Sequence, residues 1–146
     1  MGRSLARWRA LTGQQKSQLV LLAIALPATG ALIRLLGFQK AAKACARMGG
    51  QAPLRPSSAQ DLEDAQAFAR LAAVAGRHGP VTTTCLRQSL VVRAWLRRRG
   101  LDAQLKIGVR KNGAVMDAHA WVELDGVPLA QPNLDHAAFN APDLGA

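Results

Sequence analysis

Apolar and polar residues alternate with a period of two through much of the second half of the chain. Ala103, Leu105, Ile107 and Val109 alternate with Gln104, Lys106, Gly108 and Arg110, the pattern of a half-buried strand. Asn112-Gly113 is a hairpin turn signal. Beyond it Ala118, Ala120, Val122 and Leu124 alternate with His119, Trp121 and Glu123, which predicts a second strand. Asp125-Gly126 marks a further turn, and Val127 to Gln131 reads as a third strand.

Upstream the period is helical. Ser58 opens a helix with Asp61, Glu63 and Asp64 in or near its first turn, where carboxylates suit the helix dipole. Leu62, Ala65, Phe68, Ala69, Leu71, Ala72 and Ala73 continue it, and Gly76 is expected to end it. After a Gly79-Pro80 turn and the run Thr82-Thr83-Thr84, a second helix is predicted from Cys85 to Arg99, stopped by Gly100. Gly49 to Ser58, rich in Gly, Pro and Ser, reads as a linker.

The N-terminal run Gln18 to Ile33 carries no charge. It is short for a membrane span, which needs about 20 apolar residues. Pro27 and Gly30 interrupt it, so a helical hairpin or kinked helix pair is expected with its bend there. Arg3, Arg7, Arg9 and Lys16 ahead of it mimic a signal peptide. The continuation Leu32-Ile33-Arg34-Leu35-Leu36-Gly37-Phe38 keeps helical apolar spacing, which speaks against export. The fold class is α+β: N-terminal helices over 1–50, then a core over 51–146 in which the Cys85 helix packs on an antiparallel sheet.

Length and charge sharpen this picture. At 146 residues the chain suits one domain. Tyrosine is absent, so packing relies on Leu, Val, Ile and Ala. No Asp or Glu precedes Asp61, whereas nine Lys and Arg do; from Asp61 onward ten basic residues face nine acidic ones. The net charge of +10 therefore belongs almost wholly to the N-terminal segment. A basic, acid-free segment beside an apolar run fits an anionic partner, with a solvated basic helix as the plain alternative. Two distant cysteines, Cys45 and Cys85, without Cys-x-x-Cys spacing, argue against a zinc site and a disulfide frame and suit a reducing cytoplasm.

The candidate chemistry lies at Cys85 and His119. A thiol at the mouth of a helix meets unpaired backbone N–H groups, which stabilise a thiolate and can point at a developing oxyanion. Thr83 or Thr84 can cap that helix. An imidazole on a facing strand supplies the base that such a nucleophile needs. Either residue alone is more often a core cysteine or a satisfied strand histidine, and the joint placement carries the reading.

A third group should orient the ring. If Leu124-Asp125-Gly126 is a three-residue loop, His119 lies across from Gln131; if Asp125-Gly126 is a two-residue turn, it lies across from Pro132. Asp135 reaches the site only by a turn after Pro132. Glu123 shares the face of His119 and is available to a substrate or an arginine, or is a solvated carboxylate. Arg97-Arg98-Arg99 reads as a solvated helix end, and Trp95 and Trp121 as core or cleft walls.

Three stretches carry a family resemblance: Cys85-Leu86-x-x-Ser89-Leu90, the run Leu96 to Lys111, and Ala118-His119-Ala120-Trp121-Val122-Glu123-x-x-Gly126. Together they resemble the leader-peptidase protein of lasso-peptide biosynthesis, which is similar to transglutaminases and has a papain-like Cys-His-Asp site. The resemblance implies a cytoplasmic cysteine protease that removes the leader of a lasso precursor, with Cys85 as nucleophile and His119 as general base. The family usually has Asp about where this chain has Gln131. The partners implied are the precursor leader peptide, a separate small winged-helix recognition protein and an ATP-dependent macrolactam cyclase. No cofactor, metal or nucleic acid is expected, and peripheral membrane contact would run through the N-terminal segment. Two rivals stand beside this reading: another transglutaminase-like acyl-transfer enzyme, and a non-catalytic basic binding module.

Overall fold

The computed structural model describes residues 9–78, 84–131 and 137–139. Helix α1 spans Gly13–Leu36 and starts in a reciprocal cap: Thr12 Oγ1 accepts from the Gln15 N–H at 3.2 Å, and Gln15 Oε1 accepts from the Thr12 N–H at 3.0 Å. Pro27 lies inside this helix and does not end it. The expected hairpin at Pro27 and Gly30 does not form, since one helix runs through both; the break comes at Gly37, whose φ of 77° lies in the region open to glycine. Buried Leu22 and Leu26 before the proline, and Thr29 and Gly30 after it, anchor the helix on both sides of the lost hydrogen bond. Gly30 serves an approach instead: the Arg87 guanidinium lies where a Cβ would sit, 2.9 Å from its Nη1. The uninterrupted helix is long and apolar enough to cross a membrane by length and composition.

Helix α2, Phe38–Met48, buries Ala41, Ala42 and Cys45. The segment after it has no regular structure until α3, Ala59–His78, as its Gly, Pro and Ser content predicts. Ser58 and Asp61 cap α3 reciprocally: the Ser58 N–H donates to Asp61 Oδ2 at 2.9 Å, and the Asp61 N–H donates to Ser58 Oγ at 3.1 Å. Arg55 grips the same carboxylate with two bonds of 2.8 Å. Gly76 is buried within α3, which runs two residues past the expected stop.

Helix α4 covers Cys85–Arg97, and a turn through Gly100 (φ 75°) leads to the sheet. The arginines that end it are not simply solvated. Arg97 pairs with Asp102 at 3.5 Å, and Arg99 pairs with Asp64 at 3.7 Å while lying 3.9 Å over the Trp95 ring. Trp95 in turn stacks on Phe68, with centroids 4.0 Å apart.

Strands β1 (Ala103–Asn112), β2 (Val115–Leu124), β3 (Val127–Pro128) and β4 (Ala137–Phe139) form an antiparallel sheet in the order β3-β2-β1-β4. The β1–β2 hairpin turns at Gly113 and Ala114, one residue later than Asn112-Gly113, with φ of 62° at Gly113. That is the first loop position, where a type II′ turn takes glycine. Sequence periodicity does not foresee β4, a three-residue pairing on β1. The core joins helices and sheet: Leu22 and Leu26 of α1, Phe68 and Ala72 of α3, and Val92 and Leu96 of α4 pack with Ala103, Val122 and Leu124. Each large side chain buried there is worth about 1.5–3 kcal/mol.

Candidate active site

Cys85 is the first residue of α4. Thr84 before it has extended backbone (φ −76°, ψ 157°), and its Oγ1 accepts from the Arg87 N–H at 3.4 Å, the geometry of an N-cap. Thr83 lies outside the described residues. The Cys85 thiol is half-buried and free. Cys45 is free as well, but it sits in the core, and burial pushes its thiol up despite a hydrogen bond with Thr29.

His119 is carried by β2, opposite Gly108 of β1. Its Nε2 lies 2.9 Å from Gln131 Oε1. The ring stacks at 6.0 Å on Trp121, whose Nε1 donates to Glu123 Oε1 at 2.9 Å. Glu123 is thus occupied by a neighbour two residues away, a use that neither of its expected roles included. Trp121 is only 2% exposed, so it is a wall of the site and not a solvent-facing ring.

Gln131 meets His119 although the three-residue loop, the register that would set them opposite, is absent. Leu124 pairs with Val127 and Glu123 with Pro128, so Asp125 and Gly126 form a two-residue turn, both with positive φ (52° and 76°). This is the left-handed pair of a type I′ hairpin. In a continued ladder that register sets Pro132 opposite His119. The ladder stops early: the Leu129 N–H donates to Val122 O at 2.9 Å, and Ala130 then takes φ of 54°. This left-handed residue turns the chain out of strand geometry, so face parity no longer governs Gln131. Asp135, the alternative third residue, lies outside the described residues, as do Pro132 and His136.

A clamp from α3 holds this turn. Gln66 Nε2 donates to Pro128 O at 3.0 Å, and its Oε1 accepts from the Ala130 N–H at 2.8 Å. Nothing in the local sequence marks Gln66, which acts across more than sixty residues. Ser89 is the second residue that chemistry at Cys85 and His119 leaves unmentioned. It is buried, and its Oγ donates to Ala120 O at 3.0 Å, pinning α4 to β2 beside the histidine. The signal for it is its spacing: Cys85 and Ser89 are four apart and so share a helix face.

Cys85, His119 and Gln131 line one cavity of about 50 Å³ with Ser89, Trp121 and Ala130. A thiol at a helix mouth and an amide-held imidazole in one cavity can perform nucleophilic acyl chemistry. Among the described residues no group of three His, Cys, Asp or Glu side chains is placed to hold a metal ion. The model of the Transglut_core3 family, described as transglutaminase-like superfamily, matches residues 25–141, from the middle of α1 to beyond β4. No curated protein and no solved structure matches the chain.

Proposed function

The chain belongs to the transglutaminase-like superfamily, the family with which lasso-peptide leader-peptidase proteins are associated, and on that premise we propose that it is a cysteine peptidase. Its substrate is the precursor of a ribosomally made lasso peptide, cleaved after the leader in the cytoplasm. A separate winged-helix protein grips the leader, and an ATP-dependent cyclase closes the macrolactam on the amine set free.

One observation carries this reading: the Cys85 helix mouth and the His119–Gln131 pair line the same cavity. With the Gln131 amide oxygen as acceptor, Nε2 of His119 donates and the ring's lone pair rests on Nδ1. His119 Nδ1 takes the Cys85 proton as sulfur attacks the scissile carbonyl. Backbone N–H groups at the start of α4 face the oxyanion, within the turn capped by Thr84. The imidazolium then gives its proton to the leaving amine as the C–N bond breaks. A water molecule, deprotonated by His119, hydrolyses the thioester and restores the thiol. Gln131 holds the ring throughout, as a neutral amide does in papain-like sites. The superfamily match favours a second reading, transfer of the acyl group to an amine in place of water.

Mass spectrometry of precursor incubated with enzyme and recognition protein tests both. Free leader and free core, produced by the wild type and lost in Cys85→Ala and His119→Ala, is the expected result. A product joined to an added amine would select acyl transfer, and undiminished cleavage by Cys85→Ala would reject thiol chemistry at this site.

A further inference from the structure

From Ser17 to Ile33 the outward face of α1 carries no charge. Val20, Ile24, Ala28, Ala31 and Leu35 are exposed and recur at three- and four-residue spacing, which sets them in one stripe. Val20 is 53%, Ile24 68% and Leu35 82% exposed. A soluble helix that packs on a core ordinarily turns polar residues outward, and a contiguous apolar face marks a surface that something covers.

An apolar groove of about 440 Å³ continues this face between α1, α2 and α4. Ala28 belongs to both, exposed Leu21 lines the groove beside it, and Met48, 68% exposed, stands there with Trp95 and Arg98. Exposed cations lie on the same elements: Arg34 on α1, Lys40, Lys43 and Arg47 on α2, and Arg98 at the groove. No carboxylate side chain occurs anywhere in the first sixty residues. Apolar contact on helices that carry exposed positive charge and no acid is complementary to one layered surface, hydrocarbon beneath anionic headgroups.

We propose that α1 and the adjoining groove dock this protein on an anionic lipid bilayer, with α1 lying in the plane of the interface. A spanning arrangement is ruled out by the opposite face of the same helix. Leu22 and Leu26 are 0% and 2% exposed and pack with Phe68 and Val91, so lifting α1 into the hydrocarbon would open the core. The stripe enters to side-chain depth, and the cations meet the phosphates.

Sedimentation of the full-length protein with vesicles tests this independently of any peptidase activity. Vesicles of phosphatidylcholine mixed with phosphatidylglycerol are expected to bind the protein at least about tenfold more tightly than phosphatidylcholine alone, and added salt to weaken binding. The double variant V20Q/I24Q should lose about tenfold or more in affinity for the mixed vesicles. Both side chains are exposed, so its circular dichroism and melting temperature should match the wild type; Ile24→Gln alone serves as the milder variant if they do not. Absence of binding to the mixed vesicles, equal binding to both kinds, or full binding by a folded double variant would each overturn the proposal. So would a concentration-dependent dimer that the double variant abolishes, since the face would then belong to a second copy of the chain.

Discussion

His119 Nε2 and Gln131 Oε1 lie 2.9 Å apart, joined across a turn whose hydrogen-bonded ladder ends two residues before Gln131. The contact makes the histidine's orientation depend on a neutral amide. Gln131→Ala is expected to lower kcat/KM roughly ten- to a hundredfold, part of the roughly 10²–10⁴-fold that a positioned general base supplies. Gln131→Asp should match or raise the wild-type rate, since a charge-assisted contact to the imidazolium is worth about 1–3 kcal/mol. Asp135→Ala should change little. Steady-state kinetics of leader removal check all three, and an inert Gln131 with an essential Asp135 would move the third role to the C-terminal segment.

Gln66 should prove a positioning residue. Gln66→Leu leaves the Ala130 N–H and Pro128 carbonyl without their clamp, so it should cost about 1–3 kcal/mol in urea unfolding. It should also lower kcat by more than it changes KM, because Gln131 loses its fixed approach to His119. Ala130→Gly, at φ of 54°, removes the steric cost of the left-handed residue and should stabilise the fold by up to about 1 kcal/mol. Equal activity of Gln66→Leu and the wild type would reduce the clamp to a structural contact.

Asp61 sets an acid limit. The Arg55 guanidinium, then the Ser58 N–H and hydroxyl, hold its carboxyl well below the usual carboxylate range. A carboxyl depressed in the folded state stabilises the fold above its unfolded pKa of about 3.9 and loses that contribution as pH falls through the folded value. Asp61→Asn should therefore unfold at lower urea than the wild type at neutral pH, and the gap should narrow below about pH 4. Midpoints measured across that range check the sign; a constant gap would mean that the carboxylate charge contributes nothing.

Local chemistry was legible where it is self-contained. Thr84 ahead of Cys85 reads as a cap because capping needs only a hydroxyl and the next turn. The alternations in β1 and β2 read as strands because each face has its own fate. What escaped depends on distance. Pro27 locally predicts a break, but the packing of Leu22, Leu26 and Thr29 carries the helix through it. The contact of His119 with Gln131 follows from only one of the two turns the sequence offers, and it is the other turn that forms. Face parity presumes a continuing ladder, and alanine gives no hint of the left-handed turn that Gln66 holds from α3. The three-residue β4 is too short to show any period.

The cavity shared by Cys85 and His119 is about 50 Å³, well below the roughly 300–1,000 Å³ of pockets that enclose a small molecule. On the peptidase reading, a cavity of this size takes the scissile group itself and leaves most of the precursor outside it. Tethering of the precursor then contributes to the choice of bond. Whatever holds the precursor nearby raises the effective concentration of one peptide bond at the thiol. A carrier that delivered a different sequence at the same reach would raise the share of cuts in that sequence.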